Sequence, residues 1–322
     1  MKTTRPTVWE TIALLWFIFR AKRCRFLLRI KNLINFKRNL ELLVGPLKDY
    51  QGDGNSQQAI RILSDGSTST LRIKANITKS MISIPNASQI TVYGLSKETR
   101  NKIMQSQASV RLYAWYDGQQ KELVFRGGIL NCVVNREDTD IPITLISLDG
   151  QGGFMRAPVS VSYTNGIQLK DVVKDVAGKI PGITIDDSRI DVSGQVGFSG
   201  MAYAGGAKEF LDRLGGQYGF SWSINNGVFE AVSDKRGFNV ETLLGAGVLI
   251  KASPILSGPA QQQIGTDIQA LYVPGVSPAQ FVRLQSSINT ELNGRYKVHT
   301  MNLSLDTKAD SWTMSIQSYR QG

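Results

Sequence analysis

The sequence is poor in the residues on which most catalytic chemistry depends. It contains one histidine, His299, and two cysteines, Cys24 and Cys132. That scarcity excludes most metal sites and most activated nucleophiles before any motif is sought. The cysteines lie far apart in the chain and give no disulfide framework, which fits folding in a reducing compartment. Long apolar runs are lacking as well. The stretch Ile12–Phe19 is eight residues, against the roughly 20 needed to span a bilayer. No Walker A sequence is present, and neither Gly52-Asp53-Gly54 nor Gly150–Gly153 completes a dinucleotide fingerprint. The glycines, 31 of 322 residues, instead fit tight turns between short strands.

Charge is unevenly spread. Residues 1–38 hold ten Lys and Arg against the single acid Glu10, whereas the other 284 residues hold 27 bases and 25 acids. The basic isoelectric point therefore belongs to an N-terminal arm and not to a basic, nucleic-acid-reading domain. Basic residues at 20–25 occupy the place of a signal-peptide cleavage site, which argues against export. Within the arm, Leu27, Ile30, Leu33 and Ile34 recur at helical spacing among Arg29, Lys31 and Lys37. This is a basic amphipathic helix of the kind that lies on an anionic membrane surface. The favoured reading is nevertheless an unpacked or extraneous tail, because nothing after residue 38 continues the pattern.

From about Arg38 the texture changes to short alternating segments between turns. Leu71, Ile73, Ala75 and Ile77 point one way and Arg72, Lys74 and Asn76 the other, predicting a half-buried strand. Ile90–Leu95, Val110–Tyr116, Leu123–Val134 and Ile141–Leu148 continue a series suited to a β-barrel or sandwich, interrupted by one helix that Ser96 can cap. The middle reads as an α+β module. Leu169, Val172, Val173, Val176, Ala177 and Ile180 predict a helix stopped by Pro181-Gly182. Ile183–Ile185 predicts a short strand, and Asn225-Asn226-Gly227 between Phe220–Ile224 and Val228–Val232 is a hairpin signal. Strands resume at Phe281–Leu284, Tyr296–Leu305 and Trp312–Ile316. The expected division is an arm over 1–37, a barrel domain over 38–155, the α+β module over 156–247, and a second barrel, or the completion of the first, over 248–322.

Candidate chemistry is thin. Gly197-Phe198-Ser199-Gly200 lacks one residue of nucleophile-elbow spacing, and His299 is its only available base. A Cys132–His299 dyad needs the fold to bring two distant strands together. The acidic clusters Glu137-Asp138-Thr139-Asp140 and Asp186-Asp187 with Asp191 supply paired carboxylates of the type used in glycoside hydrolysis. Both read better as turn residues at strand ends. A cell-wall hydrolase built on Asp138 or Asp187 stays open as the enzymatic alternative, and an arm-anchored membrane-surface component as a third.

Two stretches carry a family pattern. Leu71–Lys79 followed by Pro85-Asn86 and Ile90-Thr91-Val92-Tyr93-Gly94-Leu95-Ser96 resembles the opening of phage baseplate hub and tail-tube-like proteins. Asn293-Gly294-Arg295-Tyr296-Lys297-Val298, leading to Trp312-Thr313-Met314-Ser315-Ile316, resembles the closing strands of the same hubs, with Tyr272–Gly275 and Phe281–Leu284 as the preceding pair. The resemblance implies a mainly β fold with tail-tube-like β-barrel domains and a smaller attached α+β module. It further implies a homotrimeric structural protein of the virion, assembled in the host cytoplasm, between the hexameric tail tube protein and a trimeric central spike protein, contacting other baseplate proteins. Genomic DNA would pass through its lumen without specific binding, which a near-neutral body suits. No catalytic residue, cofactor or metal follows from it, and it assigns no interface residue. The basic arm is no part of the pattern.

Overall fold

The structure is a computed structural model describing residues 37–46, 59–105, 108–150, 157–197, 200–257 and 262–320. The basic arm up to residue 36, and with it the expected amphipathic helix, lies outside the described residues.

The chain is mostly strand. Thirteen strands form one sheet with the path β14-β15-β18-β17-β3-β4-β7-β6-β5-β1-β2, while β16 adds to β17 and β13 to β16. The first half supplies β1 (Arg38–Pro46), β2 (Ile60–Ser64), β3 (Ile73–Ser80), β4 (Ala87–Val92), β5 (Ala108–Tyr116), β6 (Glu122–Val134) and β7 (Ile143–Leu148). The last part supplies β13 (Glu241–Leu244), β14 (Leu249–Ser257), β15 (Gln262–Leu271), β16 (Phe281–Leu284), β17 (Gly294–Asp306) and β18 (Trp312–Arg320). Pairing is antiparallel except between β13 and β16.

Alternation sets the faces. In β3, Ile73, Ala75 and Ile77 are buried while Lys74, Asn76 and Thr78 are exposed, as the period of two requires. Helix α1 (Lys97–Gln105) crosses between β4 and β5. Its first turn is capped by Ser96, whose Oγ accepts the Thr99 N–H at 3.1 Å.

Two long strands organise the sheet. β17 runs beside β18, gives residues 294–297 to β16 and gives residues 300–306 to β3. β6 divides likewise, its lower half pairing with β5 and its upper half with β7. The C-terminal strands thereby enter the same sheet and the same apolar core as the N-terminal ones, with Leu40, Leu112 and Leu145 packed in one cluster with Ile268, Met301 and Met314.

The expected barrel is a rolled sheet whose seam is made by side chains. Among the described residues no ladder joins β14 to β2. Instead Tyr116 Oη donates to Tyr272 O at 2.8 Å, Ser64 Oγ to Thr307 Oγ1 at 2.7 Å, and Arg38 Nη1 to Ala309 O at 2.8 Å. Fully buried Trp312 fills the space behind them, edge-on to both Tyr116 and Tyr272, a favoured aromatic geometry. Glu122 fastens the same seam by accepting from Tyr272 Oη at 3.1 Å and from the Gly275 N–H at 2.8 Å.

The middle of the chain folds around a separate core. β8 (Pro158–Tyr163) pairs with β10 (Met201–Gly206), and the β11 (Phe220–Asn225) and β12 (Val228–Ser233) hairpin takes β9 (Thr184–Asp191) in parallel. Helices α2 (Leu169–Gly178) and α3 (Ala207–Tyr218) cover them. α2 forms because Leu169, Val172, Val173, Val176 and Ala177 make one buried stripe. α3 stops at Gly219, whose φ of 68° allows its N–H to reach Gly215 O at 2.9 Å.

Candidate functional site

The most elaborate polar arrangement lies where this module meets the sheet, and it is built around the Asn-Gly turn. Asn226 and Gly227 both have positive φ, 55° and 79°, as a two-residue hairpin turn demands. That conformation turns both backbone N–H groups outward at the tip. Asp149, just past β7 and 1% exposed, accepts both, with the Gly227 N–H at 2.9 Å. The Asn226 side chain completes the fit. Its Oδ1 accepts the Arg126 N–H at 3.1 Å and its Nδ2 donates to Leu123 O at 3.2 Å, both on β6.

A second buried amide ties the two bodies from the other side. Asn86 accepts the Ser80 N–H at 2.9 Å and donates to Ile224 O at 2.8 Å, and its own carbonyl accepts the Asp149 N–H at 2.9 Å. Apolar contact at the seam is small: Met81, Val232, Phe238 and Ala279 form a cluster of their own. Lys297 Nζ adds a bond to Ser233 O at 3.1 Å. The joint is therefore directional. Hydrogen bonds fix orientation more sharply than apolar burial, which has no preferred angle.

Charges are buried in the same region. Lys79, at the end of β3, is 3% exposed, and burial pushes its ammonium pKa down against the opposing pull of Asp149, Glu122 and Glu230. Glu230 on β12 is also 3% exposed. Burial pushes its carboxyl up to about 7, although Arg189 Nη1 at 3.3 Å and the charge of Lys79 favour ionisation. Its partners are structural ones: Arg189 pairs with its carboxylate on the same module.

The residues considered from sequence end up apart. Cys132 is on β6 and His299 on β17, with β3, β4 and β7 between them. Burial raises the Cys132 thiol, and His299 stacks edge-on against Tyr319 at 5.3 Å. Glu137 and Asp140 exchange backbone hydrogen bonds at 2.9 Å in the turn after β6, as turn residues do. Asp186, Asp187 and Asp191 lie within strand β9, which is longer than expected, but Asp186 and Asp187 fall in its register shift, and only Asp191 of the three pairs with β12. There Asp186 accepts from Ser188 and Asp187 pairs with Lys174 at 2.7 Å, each already satisfied. Ser199 and the glycines at 52, 54, 152 and 153 lie outside the described residues. Among the described residues no cluster of His, Cys, Asp and Glu could hold a metal, and no helix is long and apolar enough to cross a membrane. Neither Asp149 nor Asn86 carries a functional motif in the sequence. Their signals were a lone Asp-Gly after an apolar strand and an Asn after Pro85.

A rolled sheet carrying a small α+β module is a fold shared with solved tail proteins. The tail protein from Neisseria meningitidis MC58 superposes with a TM-score of 0.61 over 89% of this chain and 98% of its own, at 9% identity. The 43 kDa tail protein of prophage MuSo2 from Shewanella oneidensis gives 0.56 over 87% and 98%, at 12% identity. A component of the Escherichia coli type VI secretion system gives 0.57 over 80% and 76%, at 10% identity. No curated protein sequence matches. The chain belongs to the baseplate hub gp41 family, whose model matches residues 59–318. It is a structural component of the phage tail baseplate, made to contact other tail and baseplate proteins.

Proposed function

We propose that this hub is a homotrimer joining the hexameric tail tube protein to a trimeric central spike protein, with a central channel for genome ejection. Residues 38–155 and 248–322 form the tube-like part in this reading, joined by β13 at Glu241–Leu244, and the remainder of 156–247 forms the attached module. The observation that carries it is the sheet: strands from both ends of the chain merge through β17 into one rolled wall, to which the module is bolted at a fixed angle by Asp149 and Asn86. A wall of that kind transmits position and performs no chemistry, so the protein acts as an adaptor and not as an enzyme. A near-balanced body, 27 bases to 25 acids after residue 38, suits a channel that lets DNA phosphates pass without retaining them.

Electron microscopy and light scattering of the full chain, alone and with tube and spike proteins, test this. Threefold particles that cap tubes and accept spikes are expected. Monomers at high protein concentration that bind neither partner would overturn it.

A further inference from the structure

Buried oxygens without partners are rare in folded proteins, and each one needs an explanation. Four of them lie at or near the joint between the wall and the module. Among the described residues, Ser88 Oγ, Ser147 Oγ, Asn225 Oδ1 and Glu230 Oε2 are buried and have no hydrogen-bond partner. None of the four residues is more than 7% exposed.

Strand register brings them to one end of the rolled sheet. Ile90 of β4 stands opposite Leu145 of β7 on the core face, and one row further on Ser88 stands opposite Ser147. The alternation that buries Ile77 continues to Lys79 on β3, and the one that buries Ser147 continues to Asp149. The β11–β12 hairpin closes this end, its tip held by Asp149 and Asn86. Trp222, Ile224 and Phe229 belong to the module's own core. The intervening Ser223 and Asn225, with Glu230 opposite Ser223, therefore turn to the wall. Ser223 Oγ accordingly meets Met81 Sδ at 3.2 Å.

Lys79 stands among these groups. Its ammonium is drawn by Asp149 from beyond β7, by Glu122 from β6 and by Glu230 from β12. Each of those carboxylates is committed elsewhere. Asp149 holds the Asn226 and Gly227 N–H groups, Glu122 holds Tyr272 and Gly275, and Glu230 pairs with Arg189. A lysine ammonium has three donors, and leaving them bare inside a protein is costly.

We propose that this end of the wall encloses ordered water, bound by Lys79 Nζ and shared with the oxygens of Ser88, Ser147, Asn225 and Glu230. Ser88 and Ser147 exchange the bulk of Ile90 and Leu145 for two hydroxyls, which is the combination of room and polarity that a buried water requires. Water suits the site better than an ion: the carboxylates repel a halide, and the ammonium repels a metal cation. Solvated in this way, Lys79 keeps its charge inside the fold. Strand β3 is then attracted at once to the seam through Glu122 and to the module through Glu230.

A crystal structure of the full chain, refined where ordered water is visible, tests this together with a bromide soak read by anomalous scattering. Water within hydrogen-bond distance of Lys79 Nζ and of at least one of the four oxygens is expected, with no bromide. A dry interior there, or bromide beside Lys79, would overturn the inference. Lys79→Met, close to lysine in length but without the ammonium, is expected to lose that water. Water kept in the same place by the folded variant would overturn the assignment to Lys79, and the parent structure decides the matter where the variant does not fold.

Discussion

Asp149 and Asn226 are 77 residues apart in the chain, yet the carboxylate of one receives the backbone N–H of the other inside the protein. The same carboxylate holds Gly227 at 2.9 Å. A turn that is usually left to solvent is here the fastening of one body to another. Charge-assisted bonds of this type contribute about 1.5–3 kcal/mol each, and an orphaned buried N–H costs a comparable amount. Asp149→Ala is therefore expected to destabilise the protein by about 2–4 kcal/mol in urea titration. Loss under 0.5 kcal/mol would show that the socket is dispensable.

Glu230 gives the protein a pH response with a definite sign. Its folded pKa of about 7 lies above the ordinary 4.5, chiefly through burial. The folded state then holds the proton more tightly than the unfolded state. This contribution is fully present below pH about 4.5 and is lost as pH rises through about 7. Glu230→Gln should flatten the fall in stability between pH 5 and 8, and should raise the melting temperature at pH 8 (thermal scans across pH measure both). A steeper fall in the variant would contradict the burial argument.

Gly127 sits where β6 passes close to β7. A Cβ there would stand 2.5 Å from Leu148 O and 2.8 Å from the Phe125 ring. Neither neighbour is free to retreat, since one is backbone and the other is fully buried. Gly127→Ala is expected to cost about 1–3 kcal/mol by overpacking, read from the denaturation midpoint. Gly118, with nothing within 4 Å, is the control for space alone, and its φ of 75° makes it costly for a different reason.

The seam of the roll can be opened at one residue. Glu122 accepts from Tyr272 Oη and Gly275 N–H. Glu122→Ala should increase amide exchange at Gly275 and in the segment Tyr272–Val276 at least tenfold, while exchange in α2 and α3 is unchanged. Uniform acceleration everywhere would mean that the seam and the module open as one unit.

Local pattern made part of this legible. The alternation of Ile73, Ala75 and Ile77 gave the strand and its buried face, and the stripe from Leu169 to Ala177 gave a helix, because both are decided by near neighbours. The turn at Asn225-Asn226-Gly227 was also plain, but not its use, since Asp149 is distant in sequence. β9 is longer than its apolar core Ile183–Ile185 suggests, because pairing with β12 resumes at Ile190 and Asp191 beyond a register shift that contains Asp186 and Asp187. Strands β13 and β14 have weak alternation and give no strand signal of their own. The candidate site was the least legible feature, as it depends on Asn86, Asp149 and Asn226 meeting across three regions of the chain.

The pairing of β3 with β17 joins residues more than two hundred positions apart, as Thr78 and Asn302 show. During synthesis the β3 edge is complete long before its neighbour exists. The nascent chain must therefore carry an unsatisfied strand through the making of the whole module, which folds on nearby contacts in the meantime. Loop closure of this span is slow compared with local pairing, and an exposed edge is prone to capture by other chains. The strand that unites the wall is thus among the last the chain supplies, and chains released without residues 300–306 leave β3 without this neighbour.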